Sequence, residues 1–200
     1  MKLDQVESTL NVKFPKKWKA IHSMGVMEWM EQSIQEFREK KEKYINDPKA
    51  FFMLECDCEP LFFDDIPKRL EELKEWISWR EEDEKTALNE NVRLIPFAQN
   101  GGGDLFCFLY EENEEEPRIV LYYHDDYRGP VLEASSFDEF IYVILLESAS
   151  WSGDIENDHW KFHYQLLNDE YKEKLDGRTA EELAEEYESS ILENVDIWKK

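Results

Sequence analysis

Positive charge is scarce in this chain of 200 residues: 24 lysines and arginines stand against 47 aspartates and glutamates, a formal net charge of −23. A field of that sign repels nucleic acid and anionic membrane, so neither is expected as a partner, and it attracts basic proteins. Cysteine is scarcer still. The three present are an odd number, with Cys56 and Cys58 too close in sequence for an ordinary bridge and Cys107 inside a strand-like run, which points to reduced thiols and a cytoplasmic setting. No apolar run approaches the roughly 20 residues that a membrane span requires. The opening MKLDQVESTLN has neither a basic segment followed by an apolar one nor an Arg/Ser-rich character, so no targeting leader is expected. Internal repeats and low-complexity tracts are missing as well.

Glycine is limited to seven residues, three of them consecutive in LIPFAQNGGGDLFCFLY (94–110). A phosphate loop needs a lysine and a serine or threonine behind its glycines, and here Asp104 and Leu105 follow. A dinucleotide fingerprint needs a helix directly behind them, yet the next residues read as a strand. An esterase elbow, G-x-S-x-G, occurs nowhere in the chain. What remains is a hairpin turn over Asn100 to Gly103, and no cofactor is expected.

What the chain does have is material for a core, since 42% of its residues are apolar and 14% aromatic. A chain of this size buries roughly 70% of its extended surface. Lys2 to Leu10 and Pro15 to Met24 read as short helices, with Gly25 just past the second. A longer helix is predicted from Glu28 to Asn46 by the spacing of Met30, Ile34, Phe37, Tyr44 and Ile45, and a short strand over Phe51 to Leu54. A helix starts near Asp64-Asp65-Ile66-Pro67 and carries Leu70, Leu73 and Ile77 on one stripe; at 100° per residue Trp79 falls nearly opposite.

The period then changes. Val92 to Ala98, Leu105 to Tyr110, Ile119 to His124 and Val131 to Ala134 read as strands of an antiparallel meander. Both parities of Leu105 to Tyr110 are apolar, which places that strand mid-sheet with both faces covered. Ser136 and Glu139 have capping-box spacing ahead of the apolar run Phe140 to Leu146. Beyond Ser148 come two charged amphipathic stretches, Ile155 to Leu175 and Thr179 to Val195, read as a helical extension.

Metal chemistry finds little support. Cys56-x-Cys58 has no second cysteine pair to complete a zinc set, and His159 and His163 share a helix face but lack the glutamate of H-E-x-x-H, Trp160 standing in its place. No metal is therefore expected. Acidic pairs such as Asp64-Asp65 and Asp125-Asp126 are too common in this chain to mark a site alone, and the net charge opposes a nuclease, which must hold an anionic substrate.

Three blocks in order, LNVKFPKKWKAIH (10–22), LIPFAQNGGGDLFCFLY (94–110) and IVLYYHDDYRGPVLEASSFDEFI (119–141), resemble the SUKH superfamily, known from fungal cell-wall regulators and bacterial immunity proteins. The acidic helical tail and the long helix around residues 28–46 depart from its pattern. Residues 148–200, outside the match, are expected to form an acidic helical extension packed on the rest or trailing from it, and over residues 1–147 the resemblance implies an α+β fold, a twisted and mostly antiparallel sheet of about four to six strands flanked by helices. It also implies a non-enzymatic, cytoplasmic immunity protein that binds a cognate basic toxin, often a nuclease, as a monomer or weak homodimer. A regulatory scaffold that binds a basic cellular protein is the alternative.

Loops at the strand ends of an antiparallel sheet cluster in space. Asp104, which opens one strand, is therefore expected near His124, Asp125 and Asp126, which close another, with Tyr123 and Trp79 adding aromatic area to a partner-binding surface.

Overall fold

The computed structural model describes all residues except 113, 115, 126–128 and 200. The middle of the chain forms strands β2 (Arg93–Gln99), β3 (Leu105–Tyr110), β4 (Arg118–Tyr122) and β5 (Val131–Ala134), paired antiparallel in chain order as their period of two predicts. Two short strands, β1 (Glu59–Pro60) beside β2 and β6 (Glu193–Asn194) beside β5, extend this to a six-stranded antiparallel sheet.

Strand β3 explains the layering. Phe106 and Phe108 join Ile95, Phe97, Ile119 and Leu121 in the larger core, while Leu105, Cys107 and Leu109 join Leu94, Val120 and Tyr122 in a smaller one on the opposite face. Helix α5 (Phe137–Ser152) supplies Phe137, Phe140 and Ile144 to the first, and α4 (Ile66–Glu84) supplies Leu73 and Ile77 to the second. The larger core is aromatic at its centre: Phe97 stacks on Phe108 at 4.2 Å, and Trp18 meets Phe97, Phe108 and Phe137 edge-on. Such offset and T-shaped pairs add about 0.5–1.5 kcal/mol each beyond the area they bury.

Helices α1 (Leu3–Leu10) and α2 (Lys16–Ser23) bring Trp18 to that centre. The buried Glu7 carboxylate accepts the Phe14 N–H at 2.8 Å and pairs with Lys13 at 2.9 Å, fixing the link between them. Gly25, at φ +78°, turns the chain after α2.

Several predicted elements are corrected. The long helix from Glu28 is broken: Glu28–Glu31 is a single 3-10 turn, and α3 (Ile34–Ile45) starts afresh behind Ser33. Trp29 and Met30 are pulled into the core, where the Trp29 indole donates to the Phe51 carbonyl at 3.2 Å and the Met30 carbonyl accepts from Phe63 at 2.9 Å. Ser33 and Glu36 then form a reciprocal capping box. Phe51 to Leu54 is no strand, because Phe51 and Phe52 are buried in a turn with Phe52 at φ +65°. At α5 the Ser136 hydroxyl accepts the Glu139 N–H at 3.1 Å, but the Glu139 carboxylate reaches back to Ser135, one residue further than predicted.

The stretch from Ile155 to Leu175 divides into α6 (Asp158–Leu166) and α7 (Asp169–Leu175), each opened by an asparagine cap. Helix α8 (Ala180–Ser189) lies along α5 and stops short of Val195, giving way to β6. The chain then crosses to the α4 face, where Ile197 is buried in the smaller core. His159 and His163 do not converge on a common ligand. The His159 Nε2–H donates to the Ile45 carbonyl at 2.9 Å, and His163 uses both nitrogens inside the core, donating from Nδ1 to the His159 carbonyl at 2.7 Å and accepting the Phe52 N–H on Nε2 at 2.9 Å. The three cysteines carry free thiols, Cys58 and Cys107 being buried.

Candidate functional site

The three glycines sit in the turn of the β2–β3 hairpin, as read from the sequence. Gly103, at φ +90°, donates to the Asn100 carbonyl at 3.0 Å, and the Asn100 N–H returns a bond to the Asp104 carbonyl at 3.0 Å. Side chains lock the turn further: Asn100 Oδ1 accepts the Asp104 N–H and Asn100 Nδ2 donates to Asp104 Oδ2, both at 2.9 Å. The Gly101 N–H donates to Asp57 at 2.6 Å, tying the turn to the segment before β1.

Asp104 is thereby buried and aimed at the end of β4. Its Oδ1 lies 2.7 Å from His124 Nδ1 and accepts the His124 N–H at 3.2 Å, which sets the imidazole and leaves Nε2 turned away from the carboxylate. The ring rests 5.6 Å from that of Trp76 on α4. Trp76, Trp79, Arg80 and Asp83 on one side, and Tyr122 to Asp125 on the other, enclose a cleft of about 130 Å³. Trp79 is 60% exposed, as its place opposite the apolar stripe predicts. Arg80 by contrast is buried, paired with Glu84 at 3.2 Å and set 5.2 Å over the Trp198 ring.

Of the residues singled out in the sequence, Trp79, Tyr123, His124 and Asp125 meet at this cleft, and Asp104 stands behind His124 as its support. Asp126 lies outside the described residues. Sequence reasoning missed Trp76, Asp83 and Asn100. Trp76, Trp79 and Asp83 share a helix face by their three- and four-residue spacing, a signal available once Trp79 was recognised as facing away from the core.

Donor atoms of Asp104, His124 and Asp125 lie within 4.8 Å of one another. Asp104 already serves His124 with one oxygen and Asn100 with the other, so His124 Nε2 and Asp125 are the donors left open. Two donors do not complete a structural zinc set. The Asp104–His124 pair could orient a base, but the described lining of the cleft carries no serine, threonine or cysteine for it to activate.

A second concavity, of about 450 Å³, adjoins the cleft at Tyr123 and lies between α5, α8 and β5. Glu133 and Glu147 line it; burial, then the Glu147 charge, pushes the Glu133 carboxyl up to about 7. Burial also raises Glu147, against a bond from the Tyr187 hydroxyl.

Fold and cleft together define an α+β domain with a six-stranded antiparallel sheet between helices, whose strand-end surface offers aromatic area and carboxylates. The chain matches the model of the SMI1 / KNR4 family (SUKH-1) over residues 2–142, and it belongs to that family. No curated protein and no solved structure matches it. Among the described residues, no helix is long and apolar enough to cross a membrane.

Proposed function

We propose that this protein is a cytoplasmic, non-enzymatic immunity protein that neutralises a cognate basic toxin of nuclease type by direct binding. The observation that carries this reading is the exposed Trp79 beside Asp83, Asp125 and His124, in a family member whose net charge is −23. A nuclease presents a cationic groove to its substrate, and an acidic inhibitor is steered towards that groove at high rate. Trp79 and Tyr123 supply buried contact area, Asp125 and Asp83 set on-rate and partner choice, and Asp104 holds His124 in place.

The test is co-expression with a toxin encoded beside the gene, followed by association kinetics of the purified pair. Protection of the cells, a stable complex, and a Trp79→Ala variant that dissociates at least tenfold faster are expected. Unprotected cells together with tight binding to a basic cellular protein would instead establish an adaptor. Multiple turnover of a substrate would overturn the non-enzymatic reading.

A further inference from the structure

An apolar groove lies apart from the cleft, with none of the cleft's residues in its lining. Of the twelve residues of helix α3 only Tyr44 is buried, and Ile34, Phe37, Lys41 and Ile45 lie along one stripe. That stripe forms one wall of a groove of about 720 Å³; the chain from Met53 to Phe62 forms the other, and the α5–α6 connection closes one end. The floor is aromatic, with Phe37 set 5.4 Å from Trp29 and 5.3 Å from Phe62. Ile34 and Ile45 are 48% and 45% exposed, so the rim of the groove adds apolar area to its aromatic floor.

Dimensions and charge specify the occupant. Eleven residues of α-helix separate Ile34 from Ile45, roughly 16 Å along the axis, the length over which a helix of about three turns presents apolar anchors. An extended strand is disfavoured. The sheet edge at the groove, β1, is two residues long, and one of them is Pro60, which has no N–H to offer. The rims differ in sign: Lys41 stands on the α3 side, while Glu55, Glu59 and Asp154 stand on the others. A second copy of the chain would bring another net charge of −23 to this surface.

We propose that this groove docks a short amphipathic helix of the protein's partner, apolar along one stripe and basic along the flank that meets Glu55 and Glu59. The inference rests on the binding role proposed above and gives it a second contact region, provided by the α3 segment.

The full chain is titrated with three synthetic 14-residue peptides: one with leucines at i, i+4, i+7 and i+11 and lysines on one flank, one with glutamates on that flank, and one with serines replacing the leucines. The readouts are the δ1-methyl NMR signals of Ile34 and Ile45 and the dissociation constant. Saturable shifts at both methyls are expected with the lysine peptide, at least tenfold tighter than with the glutamate peptide and absent with the serine peptide. Ile45→Asp should weaken binding at least tenfold with an unchanged melting temperature. Glu55→Lys/Glu59→Lys, at exposed positions, should erase the preference for lysine. Equal affinity for the two leucine peptides, shifts confined to the Trp79 cleft, or self-association through the groove that Ile45→Asp abolishes would overturn the proposal. Protection from a toxin without peptide docking removes the groove and keeps the immunity function; docking without protection does the reverse.

Discussion

Glu133 and His163 respond to pH in opposite directions, and each can be tested by one substitution. The Glu133 carboxyl titrates near 7 in the folded chain, raised by burial and then by Glu147, against about 4.5 unfolded. The folded state therefore holds this proton more tightly, and the stability that Glu133 contributes falls as pH rises from about 4.5 to 7. Glu133→Gln should be more stable than the parent at pH 8 by about 1–2 kcal/mol and close to it at pH 4, measured by urea melts. Burial holds the His163 imidazole down to about 4, so the unfolded chain takes up its proton first. That contribution is intact above about 6.5 and is lost as pH falls towards 4. His163→Ala should cost about 2–4 kcal/mol at pH 7, because it opens a cavity and orphans the Phe52 N–H, and it should take the His163 share out of the stability–pH profile between about pH 4 and 6.5, leaving the opposite slope of Glu133.

At the scale of elements, the C-terminal residues act on both faces of the sheet. Strand β6 pairs Asn194 with Val131 and Glu193 with Leu132, α8 lies along α5, and Ile197 is buried beside α4. Lys199 donates to the Ala87 carbonyl at 2.7 Å and Asn89 to the Ile197 carbonyl at 2.9 Å, so the final residues clasp the loop after α4. Ile197→Ala should destabilise the protein by about 2–4 kcal/mol. Hydrogen exchange should quicken first in β6 and the loop around residue 88. Unchanged exchange there, with a lower global stability, would show that the clasp does not hold that loop.

For the whole molecule the excess of 23 negative charges governs solution behaviour. Self-repulsion weakens the compact state at low ionic strength, while attraction of a basic partner is strongest there; the Debye length shrinks to about 8 Å at physiological salt. Asp125→Lys should therefore slow association with the basic partner proposed above several-fold at low salt, flatten the dependence of that rate on salt, and leave the melting temperature nearly unchanged. Stopped-flow rates at two ionic strengths measure this. Identical rates for variant and parent would move the charged contact elsewhere, to α8 and its neighbours first.

The central sheet, the double-faced β3, the glycine turn and the exposed position of Trp79 were all determined by the sequence itself, because local periodicity and turn chemistry record which side of each element is buried. The meeting of Asp104 with His124 followed from strand order alone. The capping box at Ser33 and Glu36 was also written locally, yet apolar spacing carried the predicted helix straight across it. Only the tertiary structure decided the rest. Phe52 is held in a left-handed conformation with its N–H bound by a histidine 111 residues away, Glu133 faces Glu147 because β5 and α5 pack together, and residues 193–194 become a strand because β5 presents an open edge. Each depends on groups distant in sequence, whose pairing leaves no periodic trace in either segment.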